Sequence, residues 1–263
     1  MSRRGRRVPW LALLAALVAF AFIAIPLIGL VQRVPWSSLW DDLRDPQATA
    51  ALRLSVVCSL WATALAVAFG VPLAWVLARV SFPGRSIVRA VTLLPMVVPP
   101  VVGGVGLLYA FGRDGLVGDS LYRWFGLQFT FRTAGVVMAE TFVAMPFLVI
   151  TVEAALRSMD RRYEDAAATL GAGRMTVFRR VTVPAIAPGL IAGAALAWAR
   201  ALGEFGATIT FAGNIQGRTQ TMPLAVYLLL EERPDVAIGL SLVLLAVCIA
   251  VLALLRDRWL GVG

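Results

Sequence analysis

Residues 164–173 read EDAAATLGAG, two acids followed by small residues and two glycines, with Arg161, Arg162, Arg174, Arg179 and Arg180 close by. Almost everything outward of this stretch is apolar. A soluble domain carries about 25% charged residues; this chain of 263 residues has 15%, with 60% hydrophobic residues and a mean hydropathy of +0.83. A bilayer core of roughly 30 Å needs about 20 apolar residues per crossing helix. Six segments qualify, at residues 10–31, 52–78, 88–111, 134–156, 185–207 and 236–255. The quoted stretch lies in a loop, residues 160–184, between the fourth and fifth. The expected architecture is all-α and polytopic, one transmembrane domain over residues 1–263. The run 222–230 is too short to cross alone and is expected at the interface or re-entering.

All 24 basic residues are arginine, since the chain has neither lysine nor histidine. Without lysine there is no phosphate-loop lysine and no conventional Walker-type ATPase. Without histidine there is no imidazole acid–base relay or imidazole metal site, so no catalytic or metal-ligating residue is assigned. Cys58 and Cys248 both fall in apolar runs and read as small packed hydrophobes rather than a disulfide. The net charge of +9 makes no single patch, so nucleic acid is not an expected partner.

The arginines follow topology instead. An N-terminus in the cytoplasm places fifteen arginines on that side and eight outside, with Arg200 inside a span; the outer loops also carry eight acids. The positive-inside rule then puts both termini and the 160–184 loop in the cytoplasm. The first span follows Arg3, Arg4, Arg6 and Arg7 like a secretory signal, but its apolar run exceeds the usual signal core, and a retained signal-anchor helix is expected.

Within the loop, Asp160 is placed to cap a helix starting at Arg161, with Glu164 and Asp165 near its positive end. Gly171 or Gly173 would end it in a left-handed turn. Tyr163, Ala166, Ala167 and Leu170 share one face, and Met175, Phe178 and Val181 mark a second short helix before Pro184. Two readings are open: an interfacial helix with its arginines snorkelling towards anionic lipid, or a helix offered to a protein groove. A stripe with two alanines inserts poorly into lipid and lets a partner backbone approach, which favours the groove.

In the third span Pro95, Pro99 and Pro100 remove helical hydrogen bonds, and Gly103, Gly104 and Gly106 add freedom. Tight packing and a helix broken beside a cavity are compatible readings. In the fifth span Gly189 and Gly193 form a GxxxG suited to close helix contact and to a dimer seam. Arg200 and Glu204, four apart, are placed to pair, either structurally or as pathway lining. Glu140 is a further acid at depth. Pro99, Pro100, Arg200, Glu204, Thr208 and Thr210 are the candidate path or gate residues. The donor-rich stretch 213–221, with Asn214, Arg218, Thr219 and Gln220, is either an ordinary solvated loop or a surface facing an external partner.

The spacing Asp165-Ala166-Ala167, three residues, Gly171, nine residues, Val181-Thr182-Val183-Pro184 resembles the Glu-Ala-Ala loop of ABC importer permeases. Asp165 stands for the usual Glu, Val181 for Ile and Val183 for Leu, and Glu164 offers an acid from the neighbouring position. The segment 200–227, with GEFGAT, FAGN and GRTQTMPLAVY, is similar to molybdate/tungstate permeases, and less so to sulfate/thiosulfate permeases. The resemblance covers spans two to six. It implies the type I importer fold, with Glu164, Asp165, Ala166, Ala167, Gly171 and Pro184 in a coupling helix that docks on a separate ATPase. It further implies a second copy of the chain, two ATPase subunits holding ATP and Mg, and an extracytoplasmic oxyanion-binding protein, in a prokaryotic inner membrane. The cargo would be molybdate or tungstate moved by alternating access; a sulfate-type permease is the alternative, and a secondary carrier or channel a remote one.

Overall fold

Asp45 opens the longest helix of the computed structural model, which describes residues 9–259. Its Oδ1 accepts from the N–H groups of Gln47 (2.8 Å) and Ala48 (3.3 Å), and Pro46 occupies the first helical position, where no N–H is missed. The helix that follows, α3 (Pro46–Arg79), comes after α1 (Trp10–Gln32) and the short α2 (Leu39–Arg44). At 1.5 Å per residue its 34 residues are longer than the bilayer core is thick. No strand occurs among the described residues.

Small residues set the centre of the bundle. Ala62, Ala66, Gly70 and Ala74 make one buried stripe of α3 that meets α7 (Thr133–Ser158). A Cβ on Gly70 would lie 3.0 Å from Leu148 and 3.3 Å from Val149. Helix α10 (Val183–Leu202) packs against both α7 and α3: a Cβ on Gly189 would come within 2.6 Å of Ala155, and one on Gly193 within 3.1 Å of Thr151. The GxxxG therefore serves a seam inside the chain rather than a dimer seam. Lipid tails are as apolar as leucine, so this close backbone approach, with its dispersion contacts, is what favours association.

The third apolar segment is not one straight span. Helix α4 (Arg85–Leu93) tightens into a 3-10 turn at Leu94–Met96, breaks, and resumes as α5 (Pro100–Phe111) at 115° to the first part. Pro95 and Pro99 lack the N–H groups that would continue α4, and Pro100 begins the next helix. The short α6 (Gly118–Phe125) precedes α7. The fifth span also ends earlier than residue 207: α10 stops at Leu202, and a new short helix, α11 (Gly206–Phe211), turns back against α5. The 222–230 run belongs to α12 (Met222–Glu232), whose Met222, Leu224, Ala225 and Leu229 are buried, with α3 and α13 (Pro234–Trp259) as its neighbours.

Between α7 and α10 lie α8 (Arg162–Thr169) and α9 (Arg174–Val177), the latter running through a π-helical turn, Phe178–Thr182, into α10. Five helical stretches are long and apolar enough to cross a membrane, and the bent α4–α5 pair makes a sixth if taken as one span. Helix α1 packs on α13 and has no buried residue. Cys58 is buried as expected, whereas Cys248 is exposed on α13. The arginine tail before the first span, Arg3 to Arg7, lies outside the described residues.

Candidate functional site

The 160–184 loop is built by local rules. Asp160 Oδ1 accepts from the Arg162 N–H (3.0 Å), and α8 begins one residue later than the cap position alone suggests. Its end is a Schellman turn: the Ala172 N–H reaches the Ala167 carbonyl (3.1 Å) and the Gly171 N–H the Ala168 carbonyl (3.0 Å). Gly171 is the left-handed residue, at φ +85°, and Gly173 is not. Tyr163, Ala166 and Leu170 are exposed along one face, with Ala167 half-buried beside them.

The other face is tied to the bundle, and Glu164 makes the tie. Its Oε2 lies 3.2 Å from Arg79 Nε at the end of α3, and its Oε1 accepts from the hydroxyl of buried Thr182 (2.7 Å). Asp165 is exposed and makes no side-chain ion pair among the described residues. Trp75 of α3 meets Phe178 edge-on at 6.4 Å between ring centroids, anchoring the π-helical turn. Such turns recur at functional sites because the extra residue re-aims the helix. Pro184 is exposed and starts α10.

Arginines gather on the carbonyl end of α3. Arg85 and Arg89 donate to the Leu77 carbonyl and Arg161 to that of Ala78 (3.4 Å). These carbonyls have no intrahelical partner and carry the negative end of the helix dipole. Glu153 of α7, nearly buried, binds Arg89 and Arg157, each at 2.6 Å. Sequence reasoning missed Glu153, Arg79 and Thr182. The i,i+4 spacing of Glu153 and Arg157 was a usable signal; the Arg79–Glu164 pair, 85 residues apart in the chain, had none.

Inside the bundle Arg200 Nη1 pairs with Glu204 Oε2 at 2.5 Å. Glu204 is fully buried, and its other oxygen accepts from the Ala207 N–H (2.7 Å), capping α11. The pair thus holds the joint between α10 and α11. Thr210 turns its hydroxyl back to the Gly206 carbonyl (2.9 Å) and lies against Gly104 of α5. Thr208 is buried, and its hydroxyl finds no partner among the described residues; the same holds for one oxygen of buried Glu140. Pro99 and Pro100 are exposed at the α4–α5 break.

At the opposite end of the bundle the stretch 213–221 wraps on itself. The Ile215 carbonyl accepts from the N–H groups of Arg218, Thr219 and Gln220, and Thr219 Oγ1 accepts from the Ile215 N–H (2.8 Å). Gln220 accepts from Gln47 Nε2 (3.0 Å), so Thr219 and Gln220 are buried structural residues rather than a presented surface. Residues 215–218 are the exposed part, and Asn214 is half-buried. Nearby, Arg233 Nη1 meets Asp45 Oδ2 at 2.5 Å, and this guanidinium holds the Asp45 carboxyl below its ordinary value. No cluster of metal-ligating side chains occurs among the described residues.

A broken-helix bundle, with a capped polar helix strapped to one end, is the architecture of a membrane-embedded transport subunit. The chain belongs to the family of binding-protein-dependent transport system inner membrane components, whose family model matches residues 70–262. It is 48% identical over 252 residues to the molybdenum transport system permease protein ModB of Mycobacterium tuberculosis, covering 95% of this chain and 92% of that one. It is 43% identical over 219 residues to ModB of Escherichia coli K12 (83% and 95%). It is also 38% identical over 213 residues to the sulfate transport system permease protein CysT of Salmonella typhimurium (80% and 76%). In fold it matches a bacterial ABC transporter involved in import of the acidic polysaccharide alginate, with a TM-score of 0.71 at 20% identity over 97% of this chain and 96% of that one. The MetNI methionine ABC transporter matches with a TM-score of 0.58 at 18% identity (79% and 94%).

Proposed function

We propose that this chain is the membrane subunit of an ATP-driven importer for molybdate or tungstate. Two copies form the pathway; two separate ATPase subunits hold ATP and Mg; an extracytoplasmic protein delivers the oxyanion. The observation that carries the reading of the machine is the two-sided α8. It shows an uncharged face of Tyr163, Ala166 and Leu170, while Glu164 on its other side is ion-paired with Arg79 and accepts a hydrogen bond from Thr182. A helix so placed passes force from a docked ATPase straight into α3 and α10. Both termini and this loop face the cytoplasm, in keeping with the arginine count of the loops.

In the cycle, ATP closes the ATPase dimer and draws the coupling helices together. The bundle opens outward to accept the dianion, and hydrolysis returns it to the inward-facing state. The α4–α5 and α10–α11 breaks, packed on one another through Gly104 and Gly206, are where the path yields. Arg200 is committed to Glu204, so tight anion affinity belongs to the delivering protein.

The likeness to molybdenum permeases supports the cargo. Proteoliposomes holding the permease, its ATPase and its binding protein test both parts. Labelled molybdate uptake should need ATP and be competed by molybdate and tungstate. Uptake without ATP would refute the importer reading; uptake that sulfate blocks and molybdate does not would refute the cargo.

A further inference from the structure

Between the end of α3, α8 and the π-helical turn lies a cavity of about 340 Å³. Arg79, Arg161 and Arg174 line it, together with Glu164, Asp165 and Trp75. The Arg79 side chain is only 8% exposed. Its Nη2 is buried and has no hydrogen-bond partner among the described residues, and Glu164 lies off the axis of its Nε–H. Arg174 makes no salt bridge among the described residues, and Arg161 spends one donor on a long bond to the Ala78 carbonyl.

A nearly buried guanidinium is costly unless its donors are met, and one carboxylate at 3.2 Å does not satisfy its five-donor fork. Three guanidinium groups against two carboxylates leave the lining net positive. A water takes up about 30 Å³, so the cavity has room for an anion with several waters. The planar arginine fork matches the paired oxygens of phosphate-like anions.

We propose that this cavity is a binding site for a tetrahedral oxyanion, with the Arg79 guanidinium as its inner donor group and Arg161 and Arg174 as its outer donors. The occupant is either a free inorganic oxyanion, phosphate or the molybdate class, or the phosphate of a lipid headgroup. An anion here competes with Glu164 for Arg79. Its arrival therefore loosens the bond that straps α8 to the bundle and couples anion level to the loop. The site depends on neither the cargo nor the direction of transport.

The purified transporter, without its delivering protein, is held in maltoside detergent, which carries no phosphate, and titrated calorimetrically with inorganic phosphate and with molybdate. Saturable binding is expected. Arg174→Gln should weaken it about tenfold, the loss of roughly 1.4 kcal/mol of charge-assisted contact. Asp165→Asn should strengthen it. Both positions are exposed, so neither change unfolds the protein. Repeating the titration in phosphatidylglycerol nanodiscs separates the sources. Unchanged small-anion binding there identifies a free oxyanion; its loss identifies the headgroup. Absence of saturable binding in the phosphate-free detergent, or an affinity that neither substitution moves, overturns the proposal.

Discussion

Replacing Glu164 with alanine should release the 160–184 loop from the bundle while leaving the transmembrane helices folded. The carboxylate is 18% exposed and its partner Arg79 8%, so truncation strands a nearly buried guanidinium. Breaking a fully buried pair costs about 3–5 kcal/mol. The partial exposure of Glu164 reduces that figure, and the lost Thr182 hydrogen bond returns about 1 kcal/mol. A net change of about 3 kcal/mol raises the undocked population roughly 10²-fold. Asp165→Ala removes an exposed side chain and should change local stability by less than about 0.5 kcal/mol. Hydrogen exchange of peptides covering residues 162–182 reads the opening directly, and tryptic cutting at Arg161, Arg162 and Arg174 reads it independently. Exchange should accelerate strongly in Glu164→Ala, modestly in Glu164→Gln, which keeps an acceptor for Thr182, and hardly at all in Asp165→Ala. If Asp165→Ala opens the loop as much as Glu164→Ala, the acid that holds the helix has been misassigned and the strap does not exist.

Four further outcomes follow from the geometry. Gly104→Ala places a Cβ 1.7 Å from Thr210 Oγ1 and 2.8 Å from the Ala207 carbonyl. The hydroxyl is able to rotate but the backbone is not, so thermal unfolding in detergent should show a loss of about 3 kcal/mol. Gly106→Ala, with nothing within 4 Å, should be neutral or slightly stabilising. Gly171→Ala meets no neighbour but must hold φ +85°, so it should loosen the end of α8 by about 1 kcal/mol in hydrogen exchange, without altering the unfolding temperature of the bundle. Asp45, lowered chiefly by its hydrogen bond to Arg233, contributes stability that is present above its unfolded value of about 4 and lost as pH falls through the lower folded value. The unfolding-temperature gap between the native protein and Asp45→Asn should therefore shrink below about pH 4; a gap constant with pH would refute the assignment.

The membrane class, the number of apolar segments and the loop that interrupts them were legible in the chain because each is local. The Asp160 cap and the glycine stop are carried by residues within one or two turns of each other, and spanning length and arginine bias are sums along the chain that need no knowledge of contacts. Arg200–Glu204 was legible for the same reason, four residues on one helix. The third segment held its prolines in plain view, but a proline says that a helix is weakened, not which way it turns. The bend is 115°, and the arm beyond it packs against α11 through Gly104, a contact that no local pattern announces.

What the chain alone determined is a helical membrane protein with a polar loop whose spacing resembles that of importer permeases. Only the tertiary structure decided what that loop holds. In the linear pattern the family's acid falls on Asp165, yet the side chain that reaches the bundle is Glu164. On a helix one residue is 100° of rotation, and which side faces inward depends on where α3 delivers Arg79. The same reason moved the GxxxG from a seam between copies to one against Ala155 and Thr151, and took Thr219 and Gln220 off the surface. Spacing along a chain sets which residues share a face; only packing against distant elements sets what that face meets.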